Sequence, residues 1–306
     1  MIYIPIYIKN YILGASLYEK KQRNLKIGIF LILTIIILLL IIFIPSAKSL
    51  LIFIGILYIV FLTLLIQYHP KSYISFYKKN IINNLIKNYD DSFNYMPNIG
   101  ISPSLYKNAE FEQYFDRFTS EDSISGKFQN KFPFTMAEVK TENETKDSKG
   151  HSTYTTIFKG LFIHITLEKN IPSKIHIRKN SLLKNKFSIF NFKINKLDRI
   201  EMDSPDFEKI YDIYSDNNII TMQLFTASQM QMILDFKKKY KIYPEFTIKN
   251  NSLYMRFSSS KAFFEPRPFK KLLDYNCLNE EYKFITSIMN ICNLIINNIS
   301  NTADEL

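Results

Sequence analysis

Four histidines, two cysteines and a few carboxylate pairs are the residues whose types could do chemistry in this 306-residue chain. The histidines are His69, His151, His164 and His176. If 168–172 is a five-residue hairpin loop, His164 and His176 face one another across two strands, within reach of a shared ligand or metal. No third ligand stands at a fitting spacing, so the plain reading is two polar side chains on a half-buried sheet. Glu121-Asp122 and Asp90-Asp91 are adjacent carboxylates. On a strand such neighbours point to opposite faces, which makes them poor acid/base partners. Lys237, Lys238, Lys239 and Lys241 could meet anionic lipid, or simply complement a helix C-terminus. Cys277 and Cys292 lack a CxxC spacing or a Cys/His cluster and read as free thiols in a reducing compartment.

With seven glycines, none clustered, neither a phosphate-binding loop nor a dinucleotide fingerprint can be written. No metalloprotease, serine-hydrolase or kinase signature is present either. No residue is therefore assigned a catalytic, cofactor-binding or metal-ligating role, and no cofactor is implied.

The elements that would position these residues begin with two apolar runs. Between Ile27 and Ile66 the only charged residue is Lys48. Runs 27–44 and 50–66 give about 25 to 27 Å of helix each, enough to span a bilayer. The link Pro45-Ser46-Ala47-Lys48 allows only a tight turn, so the two make an antiparallel hairpin over 27–67. Lys20, Lys21, Arg23 and Lys26 precede it and Lys71, Lys78 and Lys79 follow it. That bias places both ends in the cytoplasm. A signal peptide fits poorly, because the first run is too long and a second follows at once. Thr34 and Tyr58 fall at similar depth, where a contact eased by Gly55 would satisfy both hydroxyls; Tyr58 facing lipid is the alternative. Residues 1–26 form a cytoplasmic, interfacial N-terminal segment.

Residues 68–120 read as a helical connector, with an amphipathic helix over 73–89, a break over 90–103 and a further helix over 105–118. From 121 to 306 the pattern is that of an α+β domain with an antiparallel sheet and flanking helices. Strands are expected over 132–139, 154–167, 174–178, 187–194 and 211–214. A hairpin about Asn250-Asn251 would join 242–248 to 253–258. Helices are expected to start at Ser204-Pro205, to fill 226–239 and to close the chain over 280–299.

The formal net charge of +11 divides into six basic residues against Glu19 alone before residue 68, and 33 against 27 after it. The domain's excess is mild, and a nucleic-acid partner is not expected.

Several strings occur in order: Glu121-Asp122-Ser123-Ile124-Ser125-Gly126, Phe158-Lys159-Gly160-Leu161-Phe162, Asp203-Ser204-Pro205-Asp206-Phe207-Glu208 before Tyr211-Asp212-Ile213-Tyr214-Ser215-Asp216, and Phe264-Glu265-Pro266. Together they resemble the bacterial two-span membrane proteins catalogued as domain of unknown function 3137, over about residues 25 to 300. The resemblance implies an inner-membrane protein with a cytoplasmic domain, and suggests a LemA-like membrane protein as partner. It supplies no activity and no site residues. The resulting expectation is a membrane-anchored cytoplasmic module that binds a protein or a lipid head group. The alternative is a membrane-anchored enzyme with a site built from dispersed polar residues.

Overall fold

The computed structural model describes residues 77–180, 197–259, 262–266 and 275–305, with helical positions at 25, 28–29, 31–36, 39, 52–56, 58–60 and 74–75. Two compact units divide the chain: 1–82 with 265–283, and 83–264 with 284–306.

In the first unit much of the expected hairpin, 27–67, lies outside the described residues, and so do 1–24 and His69. Among the described residues no helix is long and apolar enough to cross a membrane. The helical positions that are described carry a consistent pattern. Ile29, Leu31, Ile32, Ile35, Phe53, Ile56 and Ile59 are exposed, whereas Gly28, Thr34, Gly55 and Tyr58 are partly shielded. Further on, a π-helical stretch Tyr77–Ile82 buries Tyr77, Lys78, Ile81 and Ile82, and Tyr77 Oη donates to Glu281 Oε2 at 2.6 Å.

Among the described residues the second unit is a seven-stranded antiparallel sheet with helices. In chain order its elements are α1 (Asn83–Tyr89), β1 (Asn94–Met96), α2 (Pro103–Asn108), β2 (Arg117–Phe128), β3 (Phe132–Lys146), β4 (Ser152–Lys179), β5 (Asp198–Ile200), α3 (Pro205–Glu208), β6 (Tyr211–Ser215), α4 (Asn218–Leu224), α5 (Ala227–Tyr240) and β7 (Pro244–Ser258). The chain closes with α6 (Tyr275–Glu305), of which the residues from Phe284 belong to this unit. The stretch expected as a helical connector thus carries β1 and the start of β2, and of the helix expected over 105–118 only 105–108 is helical, within α2. The strand expected over 187–194 lies outside the described residues.

Strand order is β1-β2-β3-β4-β6-β5, with β7 paired to the remaining side of β4. β4 organises the sheet. Its first half pairs with β3 from Ser152 to Ile165 and its end pairs with β6 from Ile175 to Lys179, while β7 runs antiparallel along Gly160–Ile177. The expected hairpin at 168–172 is absent: β4 is one strand of 28 residues, irregular between Thr166 and Ile175. The hairpin expected about Asn250-Asn251 is likewise absent, because both halves of β7 pair with β4 and Asn250 takes a left-handed φ of 55° within the strand. Turn-forming residues here serve as bulges, since long-range pairing outweighs local turn preference.

Gly160 permits this arrangement. A Cβ at that position would lie 2.0 Å from the Phe257 carbonyl oxygen of β7.

One sheet face packs on helices. Phe236 of α5 meets Phe257 with ring centroids 5.6 Å apart, Phe225 meets Phe246 at 6.3 Å, and Cys292 Sγ of α6 lies 3.7 Å from Met255 Sδ. Burial pushes the Cys292 thiol well above its ordinary range, the condition of an inert structural cysteine. The other face is covered by the α2 segment, where Tyr106, Ala109, Phe111 and Phe115 bury against Ala137, Val139, Phe158, Phe162 and Tyr254.

Candidate functional site

Polar side chains gather where the α2 segment crosses the sheet. Ser102 caps α2 by accepting from the Leu105 amide at 3.2 Å, and the chain leaves the helix through Glu110, whose φ of 53° turns it back over β4 and β7. Strand alternation brings Lys174, His176 and Arg178 of β4, and Glu245, Thr247 and Lys249 of β7, to that face; Arg256 joins them across the Asn250 bulge.

Arg256 sits between two carboxylates. Its Nη1 donates to Glu112 Oε1 at 2.7 Å and its Nε to Glu245 Oε2 at 2.5 Å, with Tyr106 Oη 3.3 Å from Nη1. All three charged side chains are nearly buried, with 12% of Arg256, 8% of Glu112 and 11% of Glu245 exposed. Burial alone would lower the Arg256 pKa, but Glu245, Tyr106 and Glu112 outweigh it and raise the value. Burial would likewise raise that of Glu245, yet Arg256 and Arg178 hold it below the usual carboxylate range.

Arg178 donates to two main-chain carbonyls of the covering segment, Phe111 O at 2.7 Å and Glu110 O at 2.5 Å. Burial, with Arg256 adding repulsion, lowers its pKa to about 10. The Phe111 ring lies against both guanidiniums, 4.8 Å from that of Arg178 and 4.6 Å from that of Arg256. Glu110 pairs with Lys249 at 2.6 Å and with Lys174. Although burial opposes it, hydrogen bonds from these two lysines lower the Glu110 pKa to about 2.

His176 is fully buried beside this network. Its Nδ1 lies 2.9 Å from Thr247 Oγ1, while Nε2 has no hydrogen-bond partner among the described residues. Burial, then the charges of Arg178 and Lys174, lower its pKa to about 3, so the ring is neutral at physiological pH. His164 is elsewhere on the same strand, stacked on Tyr254 at 4.8 Å with Nε2 3.2 Å from Ser252 Oγ. Because β4 does not fold back, the two histidines stand twelve residues apart along one strand, up to roughly 40 Å, and share no site. His151 is exposed and faces Asp147 at 3.0 Å. Among the described residues no group of three or more His, Cys, Asp or Glu could hold a metal ion.

A second polar cluster lies around Glu138 of β3. Its Oε1 accepts from the Phe263 and Phe264 amides at 2.5 and 3.1 Å. Burial, reinforced by Asp122 and opposed by those amides, pushes its pKa up to about 7. Asp122 is fully buried at the bulge of β2 with a φ of 57°, and Tyr95 Oη donates to its Oδ1 at 2.5 Å. Glu121 is exposed and Asp122 buried, and the charges of both act on Glu138 and Tyr95. Asp90 instead accepts from the amide and hydroxyl of Ser92 at 2.9 and 2.6 Å, a local turn. Of the lysine group, Lys237 to Lys239 close α5 and Lys241 caps it in the left-handed conformation, with Lys237 lying 5.4 Å from the Tyr243 ring.

A family model described as "Protein of unknown function (DUF3137)" matches residues 156–295. The chain resembles that family over a stretch containing the Phe158–Phe162, Asp203–Asp216 and Phe264–Pro266 strings, while Glu121–Gly126 precedes it. No curated protein matches the chain. Among solved structures it is similar to the crystal structure of the mycobacterial trehalose monomycolate transport factor A, TtfA, at 8% identity and a TM-score of 0.36, covering 71% of this chain and 94% of that one.

Proposed function

We propose that the chain is a membrane-anchored binding module. A helical hairpin over 27–67 holds it in the bacterial inner membrane with both termini in the cytoplasm, and the sheet unit binds a protein partner or a lipid head group there. The observation that carries this reading is the exposure pattern of the N-terminal helical positions. Large apolar side chains such as Leu31, Ile32, Phe53 and Ile56 point outward, and the partly shielded positions are the small or polar Gly28, Thr34, Gly55 and Tyr58. That order inverts a water-soluble helix pair and suits helices packed through small residues in lipid. The lysines flanking the apolar runs supply the orientation.

In the sheet unit the buried ions bind one another or main-chain groups, which supports a rigid scaffold for recognition. A LemA-like membrane protein and anionic lipid are the partner classes this reading carries. The enzyme alternative has one specific observation behind it, the Glu138 carboxyl with its pKa near 7 beside Asp122 and Tyr95. Crosslinking the full chain in native membranes tests the choice. Reproducible capture of one protein or lipid is expected; no capture, together with metabolite turnover by the purified chain that Glu138→Gln abolishes, contradicts it.

A further inference from the structure

His176 carries a polar atom that the ion network beside it does not use. The residue is 0% exposed, and both Thr247 Oγ1, at 2.9 Å, and Arg178 Nη2, at 3.3 Å, lie on its Nδ1. A guanidinium can only donate, so Nδ1 is the accepting nitrogen, and the Thr247 hydroxyl can rotate to donate to the same atom. The ring is neutral and holds one proton, which therefore sits on Nε2. Among the described residues no acceptor stands within hydrogen-bond reach of that N–H. A buried donor left unpaired costs about 1 to 3 kcal/mol, and buried donors in folded chains are paired as a rule.

The groups around the ring decide what can meet this donor. The charges that act on it are those of Arg178, Lys174 and Lys249, against that of Glu110. The Glu110 carboxylate is held by both lysines, and the main-chain carbonyls of Glu110 and Phe111 accept from Arg178. Glu112 and Glu245 are bonded to Arg256. On β6, Asp212 accepts from Arg199 at 3.1 Å, and beyond it Asp216 accepts from the Ser173 hydroxyl at 2.7 Å and the Lys174 amide at 2.9 Å. A water at Nε2 would bring two O–H groups that need acceptors of their own, where the acceptors are engaged and the nearest charges are mostly positive. A carboxylate or phosphate would bring several acceptor oxygens to a fully buried nitrogen that offers one hydrogen. A monatomic anion makes neither demand: it is small, it accepts from any direction, and its charge has the sign that the cations favour.

We propose that the Nε2–H of His176 binds a halide ion of the chloride class on the covered face of the sheet. The ion offsets part of the positive charge that Arg178 and the two lysines bring to a dry site, and it makes the stability of the fold depend on halide concentration. The inference does not depend on the membrane anchor.

The test uses the full chain purified in detergent, with isotope-labelled histidine. Among its four histidines, the ring whose signals are lost in His176→Phe should show the Nε2–H tautomer in nitrogen NMR. Thermal unfolding at fixed ionic strength then compares chloride with gluconate, an anion too bulky for the site. Above its dissociation constant a single bound ion raises the folding constant about tenfold for each tenfold rise in its concentration. Chloride should therefore raise the unfolding midpoint of wild type and leave that of His176→Phe unmoved. Crystals grown in bromide should place one anomalous scatterer against Nε2. If His176→Phe does not fold, the halide dependence of wild type and the bromide position decide the matter. An Nδ1–H tautomer, equal wild-type stability in chloride and gluconate, or a water oxygen at Nε2 in bromide-grown crystals would each overturn the inference.

Discussion

Arg256 Nη1 donates to Glu112 Oε1 at 2.7 Å, and this bond, with that of Lys249 to Glu110 at 2.6 Å, ties β7 to the segment that covers the sheet. The carboxylate of Glu112 also accepts from Thr141 Oγ1 at 2.9 Å, which ties the same segment to β3. Removing the guanidinium takes from the buried carboxylates of Glu112 and Glu245 the cation that bonds both, and leaves beside Glu245 the charge of Arg178. Arg256→Met should therefore destabilise the chain by about 3 to 5 kcal/mol, as expected when one member of a buried ion network is lost. Denaturant unfolding checks it. Replacing Arg256, Glu112 and Glu245 together by apolar residues should cost less than the single change; a single change within 1 kcal/mol of wild type, on the scale of about 0 to 1 kcal/mol for exposed pairs, would mean that the network is solvated.

Glu138 and His176 should give the stability curve two opposing slopes. The folded-state pKa of Glu138 is raised from 4.5 to about 7, so its protonated form favours folding, and stability falls as pH rises through that window. The shift corresponds to at most about 3 kcal/mol. Glu138→Gln keeps an acceptor for the Phe263 and Phe264 amides and cannot ionise. Its stability relative to wild type should be higher at pH 8 than at pH 5; an unchanged difference between the two pH values contradicts the assignment.

His176 behaves in the reverse sense. Its folded-state pKa is depressed from 6.5 to about 3, so the unfolded chain takes up the proton first and stability is lost as pH falls from 6.5 towards 3. His176→Gln should flatten that acid limb in pH-dependent unfolding. A variant with the full wild-type slope would show that another group sets it.

Gly160→Ala should cost more than an ordinary strand Gly→Ala exchange, because its Cβ would meet the Phe257 carbonyl at 2.0 Å and force β7 away from β4. A loss on the order of 3 kcal/mol is expected, within the range of overpacking. Gly150→Ala, in open space at a φ of 82°, should cost only about 1 to 2 kcal/mol of left-handed strain. Thermal unfolding of the two variants side by side ranks them; the reverse order would argue against tight β4–β7 contact.

Elements with strong local signals were legible in the sequence. Ser204-Pro205 starts α3, α5 runs from its cap at Thr226, whose amide donates to Gln229 Oε1 at 2.7 Å, and the apolar period of 280–299 lies within α6. β1 and α4 were not legible, being too short for a periodicity to emerge. Lys169-Asn170 with Pro172, and Asn250-Asn251, carry turn composition, and only the pairing of β4 with β7 decides that they bulge instead. The buried ions were illegible for a different reason. Arg256 stands between Met255 and Phe257, and Arg178 follows Ile177, the alternation of a strand with one wet face. What dries that face is the segment around Phe111, about 145 residues earlier than Arg256, and no local spacing encodes such a contact.

The membrane anchor is the central claim, and reporter topology on the full chain measures it most directly. One fusion follows Leu306 and another is inserted in the turn at 45–48, each with a reporter active only outside the cytoplasm and one active only inside. The account predicts a C-terminal reporter active only inside, a turn reporter active only outside, and a chain retained in membranes through alkaline extraction. A C-terminal reporter active outside, or release of the chain by alkali, would contradict it.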